Sequence, residues 1–169
     1  GVEAYGLIAG AKAHAVSDVF RAQFPDLHDV LAAGARAGRR ADAMAMPAGP
    51  VEDISWRLPI HRAARVICVG LNYPKRYPLD QTVTRPDNIV LFAKLDGTLV
   101  PHDAALEIPL DDAADSFDYE GEIAVVIGRA ARHIRPDQVH AHIAGFTVVN
   151  DGSVRDWQRH SVHAGKNFA

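Results

Sequence analysis

The chain has 169 residues, 48% of them hydrophobic and 23% charged, enough to bury a core and form one domain with a small appendage. A net charge of -3 and a pI near 6.3 offer no general attraction to nucleic acid or to an anionic membrane, and no basic run interleaves with aromatics. No stretch reaches the roughly 18 apolar residues of a spanning helix, no basic-then-apolar leader is visible, and the lone Cys68 excludes an intrachain disulfide, so a reducing, cytoplasmic setting is expected.

Residues 1–58 are rich in alanine and glycine and carry helical spacing at Val16, Val19 and Phe20 and again at Leu27, Val30 and Leu31. Two short helices are predicted, the second capped by Asp26 after Pro25 and ended by Gly34. The proline-rich stretch 44–59 reads as a linker or extended crossover, which places a boundary near residue 59 between a small N-terminal domain (1–58) and a second domain (59–169). From there the pattern changes to short apolar runs rich in β-branched residues, at 65–69, 89–92, 122–127 and 143–149, and these are predicted strands. Cys68 lies inside the first run as a small buried hydrophobe. Between the first two runs, 73–88 is a polar loop with three prolines, long for a bare connection and therefore a candidate lid. A short helix is predicted from Pro136, and another over 153–160, where Ser153 and Asp156 have capping-box spacing.

The first chemical signal is Asp118-Tyr119-Glu120-Gly121-Glu122, at the head of a continuously apolar run. On a strand, Glu120 and Glu122 share one face, and their neighbouring charges repel unless a cation or protons compensate. The run itself is the pattern of a strand covered on both sides. A hard cation such as Mg²⁺ or Mn²⁺ would relieve the repulsion, because it prefers carboxylate and water oxygens; two solvated surface glutamates are the alternative. The second signal is an apolar strand that ends in Asn150-Asp151 and runs into a helix. Asp151 at that exit is either a projecting functional group or a turn and cap residue. Arg155 and Gln158, three apart, can face one site together or point into solvent. Lys166, in Gly165-Lys166-Asn167-Phe168, is unremarkable by itself.

As an ordered set these segments resemble the fumarylacetoacetate hydrolase family. The resemblance runs from Val69-Gly70-Leu71-Asn72-Tyr73 through Phe92-Ala93-Lys94, the Asp118–Glu122 motif and the 150–158 segment to Gly165-Lys166-Asn167-Phe168, and Pro25-Asp26-Leu27-His28-Asp29 is similar to that family's small N-terminal domain. It implies an α+β fold in which mixed β-sheets roll around a metal, with Glu120, Glu122 and Asp151 as ligands of Mg²⁺ or Mn²⁺. It also implies that Lys166 polarises the substrate or stabilises an enolate, that Arg155 and Gln158 lie near that site, and that Lys94 occupies a matching position of open role. Relatives are commonly homodimers. A 2-oxo acid can chelate such a metal through its carboxylate and keto oxygens, and one stabilised enolate serves C–C hydrolysis, decarboxylation and isomerisation alike.

Two departures stand out. Many members carry a histidine and, three residues on, a glutamate shortly after the Asn-Tyr pair, a dyad that activates water or moves a proton; here Arg76 and Leu79 stand at those positions. Arg76 cannot act as a base near neutral pH, though with Lys75 it could grip a second substrate carboxylate. The histidines at 102, 140, 142, 160 and 163 show no spacing that marks a replacement. Members also continue beyond the lysine motif with further strands, so the sheet is expected to be incomplete at its C-terminal end. The leading expectation is a metal-dependent hydrolase of a C–C bond in a 2-oxo or 2,4-dioxo acid from aromatic-compound catabolism. An isomerase, decarboxylase or hydratase, or a silent relative that binds metal and metabolite, are the alternatives.

Overall fold

The computed structural model describes residues 3–34, 48–60, 65–73, 75–76, 81–82 and 86–163. The chain opens with a tight turn: β1 (Gly6–Ala9) and β2 (Lys12–Ala15) pair antiparallel around Gly10-Ala11. Gly10 has φ +61°, the left-handed conformation that a type II′ hairpin turn requires at its first central position. No strand is predicted here from the apolar pattern, and the usable signal was this glycine. α1 (Asp18–Gln23) starts behind Ser17, whose Oγ accepts the Phe20 N–H at 3.2 Å. α2 (Leu27–Ala32) starts behind Asp26 in a reciprocal capping box with Asp29, and Gly34 follows it at φ +65°. Both helices fall where the spacing places them.

Those helices bury one aromatic cluster. Val16, Phe20 and Phe24 form its centre, and Tyr5, Leu7 and Val30 pack around it. The Phe20 and Phe24 rings lie 5.2 Å apart and tilted, an ordinary favourable aromatic geometry. The Tyr5 hydroxyl donates to the Phe24 carbonyl, and burial pushes its pKa above the usual phenol value against the opposing pull of Arg21. β3 (Ala48–Pro50) pairs antiparallel with the open side of β2. Part of what reads as linker is thus the third strand of a sheet, and Pro50 is tolerated because β3 is an edge.

β4 (Val66–Gly70) pairs antiparallel with β7 (Val90–Lys94), each displaced by about one residue from its predicted run. Between them the candidate lid holds two short paired strands, β5 (Lys75–Arg76) and β6 (Gln81–Thr82), in place of a structureless connection. β8 (Phe117–Asp118) is followed by β9 (Gly121–Ile127), which pairs antiparallel with β10 (Ile143–Asn150). The helix predicted from Pro136 forms a 3₁₀ helix, Pro136–His142. The register shifts between Ile143 and Gly145, which makes Ala144 a bulge, and a Cβ on Gly128 would lie 2.7 Å from the Ala144 Cβ. β11 (Ser153–Val154) pairs with β8 and leads into α3 (Arg155–His163).

The expectation that β9 is covered on both sides is corrected. Ile123, Val125 and Ile127, with Val148 and Phe146 across the pair, form an exposed apolar face, Ile123 being 68% and Val148 79% accessible. Glu122, Ala124 and Val126 form the opposite, half-buried face. The continuous apolar pattern is present, but among the described residues only one face meets neighbours. The chain divides into two units, one made of Gly1–Arg62, Pro101–Asp103 and Glu120–Asp151, the other of Ala63–Val100, Ala104–Tyr119 and Gly152–Ala169.

Candidate metal and substrate site

The three carboxylates singled out in the sequence lie at one end of the β9–β10 pair. Glu122 stands opposite Val149 and Gly121 opposite Asn150, and the Asp151 N–H donates to the Glu120 carbonyl at 2.8 Å, which places Asp151 opposite Glu120. Cross-strand partners in an antiparallel pair direct their side chains to the same face, and residues two apart on a strand do likewise. Glu120, Glu122 and Asp151 therefore share a face, and all three are half-buried. The Glu120 N–H bonds to the Asn150 side-chain oxygen at 3.1 Å instead of continuing the backbone ladder, so the asparagine amide closes the strand end that carries the carboxylates.

As a donor set these residues suit a hard divalent cation, because three carboxylates offer oxygen ligands only. Their oxygens do not all approach within 4.8 Å of one another. Among the described residues that compactness occurs only at Asp26, His28 and Asp29. Asp26 and Asp29 are already committed to the capping box of α2, and His28 lies 3.8 Å from Asp29 at the exposed surface. The helix cap thus engages two of the three residues of that group.

A second constellation lies within the other unit. The Arg155 guanidinium donates through Nε and Nη2 to Asp118 Oδ2, at 3.1 and 2.8 Å, and through Nη1 to Gln158 Oε1 at 3.2 Å. The helical spacing thus brings Arg155 and Gln158 into contact with each other. The predicted capping box does not form: Ser153 is buried in β11, and Ser116 caps the helix instead, its Oγ accepting the Asp156 N–H at 3.1 Å. An open hollow of about 420 Å³ is lined by Asp115, Ser116, Phe117, Asp118, Arg155 and Arg159. Arg159 bonds Asp156 at 3.1 Å, so both arginines of this hollow have acidic partners.

Lys94 lies on the half-buried face of β7, its Nζ 5.6 Å from the centre of the Phe92 ring two residues before it. Lys75 and Arg76 are placed by the backbone of β5, and Lys166 and Leu79 lie outside the described residues. At the end of β4, in the Val-Gly-Leu-Asn-Tyr segment, Leu71 has φ +54°, a conformation that costs a residue with a side chain about 1–2 kcal/mol and turns the chain sharply after the strand. Sequence reasoning gave no role to Asp118, Asn150 or Ser116. Asp118 and Asn150 were within quoted motifs, but their partners lie far along the chain, and nothing marked Ser116.

Residues 65–169 match the family described as fumarylacetoacetate (FAA) hydrolase C-terminal. The chain belongs to this family. Similar curated members include the mitochondrial oxaloacetate tautomerase Fahd2a of Rattus norvegicus, 40% identical over 121 residues, and its FAHD2A counterpart in Homo sapiens, 39% identical over the same length. Each alignment covers 71% of this chain and 37% of the relative, so the match spans little more than a third of those proteins. Among solved structures, a Mycobacterium smegmatis protein named as an HpcE candidate superposes with a TM-score of 0.69 at 27% identity, over 90% of this chain and 53% of that one. The fumarylacetoacetate hydrolase of Exiguobacterium antarcticum superposes with a TM-score of 0.60 at 25% identity, over 93% and 54%. The mixed helix and sheet architecture is that of the fumarylacetoacetate hydrolase fold, and members of this family are enzymes. Among the described residues no helix is long and apolar enough to cross a membrane.

Proposed function

We propose that the protein interconverts the keto and enol forms of a small 2-oxo diacid such as oxaloacetate, with Mg²⁺ or Mn²⁺ held by Glu120, Glu122 and Asp151. The observation that carries this reading is the shared half-buried face of those three carboxylates at one end of β9–β10. The bound cation would polarise the keto oxygen and stabilise the negative charge that develops there. Keto–enol interconversion moves one proton from carbon and returns one to oxygen, so no water molecule has to be activated as a nucleophile. The water-activating role of the His/Glu dyad that many relatives carry is therefore not needed, and because Arg76 and Leu79 at its positions cannot take a proton, another group must carry the proton from carbon to oxygen. The names of relatives 38–40% identical, oxaloacetate tautomerases, support the same choice.

The remaining roles belong to the proposal too. Lys166 holds charge on the keto oxygen, Arg155 and Gln158 supply oriented N–H donors, and Lys75 and Arg76 grip the distal carboxylate that distinguishes a diacid. Lys94 is a further cation for substrate. A small N-terminal domain over residues 1–58, a homodimeric assembly and an aqueous reducing location complete it.

Following the decay of the oxaloacetate enol band with and without Mg²⁺ tests the reading. Metal-dependent acceleration is expected, reduced at least about a hundredfold in Glu122→Ala, since losing even an outer-shell partner of a metal costs 10- to 100-fold. In parallel, Mg²⁺ at about 100 times its dissociation constant should stabilise the folded protein by about 2.7 kcal/mol, an increment absent from Glu122→Ala. A second reading, hydrolysis of a C–C bond in a 2-oxo or 2,4-dioxo acid, is favoured by the similarity to the Exiguobacterium hydrolase. Acylpyruvate cleavage without enol turnover would establish it in place of the first.

A further inference from the structure

The Arg155 side chain is held from behind. Asp118, on β8, accepts both Nε and Nη2 on a single oxygen, and the pair is largely shielded, with Arg155 18% and Asp118 33% exposed. Charge-assisted bonds of this kind are the stronger class of hydrogen bond, and two donors on one acceptor fix the plane of the guanidinium as well as its position. The third contact, from Nη1 to Gln158 Oε1, passes that orientation on: with its oxygen occupied by Arg155, the Gln158 amide is turned so that its NH₂ group points away from the arginine.

The same short strand also anchors the backbone of this turn. Asp118 stands opposite Ser153 and Phe117 opposite Val154 in the β8–β11 pair, and Ser116, immediately before β8, caps the first turn of α3. Residues 116–118 therefore set the start of α3 through main chain and the direction of Arg155 through a side chain. An arginine otherwise loses about 2 kcal/mol of rotamer freedom on being fixed, so a side chain restrained before substrate arrives has less left to lose on binding.

We infer that Asp118 is a positioning residue, which orients Arg155 and, through it, the Gln158 amide for substrate. This rests on the assignment of Arg155 and Gln158 to substrate in the proposed function. It adds a residue to that site and predicts that Asp118 and Arg155 act as one unit.

The test is a double-mutant cycle in the full-length protein, using Mg²⁺-dependent enol turnover of oxaloacetate, Mn²⁺ affinity and thermal unfolding as separate readouts. Asp118→Ala is expected to lower kcat/KM by about ten- to a hundredfold, the range for truncating one partner of a charged hydrogen bond. The Mn²⁺ dissociation constant should stay within about twofold, because the carboxylate ligands are untouched. Asp118→Ala combined with Arg155→Ala should be no worse than Arg155→Ala alone, as residues acting as a unit are not additive. Asp118→Asn, which keeps the shape and one acceptor oxygen, should recover part of the loss and covers the case in which the alanine variant fails to fold. Losses that multiply, kinetics unchanged in Asp118→Asn and Asp118→Ala, or losses that only track the fall in unfolding temperature would overturn the inference while leaving the proposed function standing. A wild-type protein with neither enol turnover nor Mn²⁺-dependent oxalate binding would overturn that function and this inference with it.

Discussion

The Phe20 cluster and the β9–β10 pair belong to the same unit, and they are built in opposite ways. Around Phe20, two short capped helices and a tight hairpin bring together residues close in the chain, and the cluster completes its own burial, leaving Phe20 6% exposed. β9 and β10 are longer and more apolar, yet one of their faces lies open and the other ends in three carboxylates. Burial is completed where the sequence is least conspicuous, and the proposed metal site sits on strands whose pattern asks for more cover than the described residues supply.

The largest effect expected from this contrast is at Phe20. Phe20→Ala should cost about 3–5 kcal/mol in urea unfolding, as for other buried aromatics; a loss under about 1 kcal/mol would show that the cluster is not where this unit is held. Asp26→Ala removes the reciprocal cap of α2 and should cost about 1 kcal/mol, with Mn²⁺ affinity unchanged. Weaker Mn²⁺ binding in that variant would assign a metal to Asp26, His28 and Asp29 after all. On the open face, Ile123→Thr should stay within about 0.5 kcal/mol of wild type, since an accessible β-branched position loses little packing. A loss of several times that size would mean the face is covered in solution, and a dependence of unfolding on protein concentration would identify a second copy as the cover.

The smallest effect concerns pH. Arg135 donates two hydrogen bonds to Asp137 and holds that carboxyl below its usual pKa, in a pair fully exposed to water and therefore strongly screened. A lowered folded-state pKa means that the contribution is present above the ordinary carboxylate range and fades as pH falls through the folded value. Asp137→Asn should accordingly be slightly less stable than wild type at neutral pH in low salt and indistinguishable from it in acid. A difference that grew on acidification would have the wrong sign for this pair.

Much of the local architecture was readable from the residues. α1 and α2, the Asp26 cap and the four principal strands follow from period and capping chemistry, which act over a few residues, and Glu120 and Glu122 share a face because a strand repeats every two. What escaped reading depends on partners distant in the chain. Ala48–Pro50 has no strand signature and becomes one only by adding to β2. Ser153 has the spacing of a cap, but pairing with Asp118 draws it into a strand and leaves the cap to Ser116.

The site divides along the same line. The sequence by itself named the candidates, the oxygen-only donors Glu120, Glu122 and Asp151 and the pair Arg155 and Gln158, because the ordered motifs that carry the family resemblance are written into neighbouring residues. Only the tertiary structure decided that Asp151 stands opposite Glu120, that Asn150 closes the strand end and that Asp118 holds Arg155. Those facts are matters of strand register between distant segments, and a slip of one residue would turn every one of these side chains to the other face.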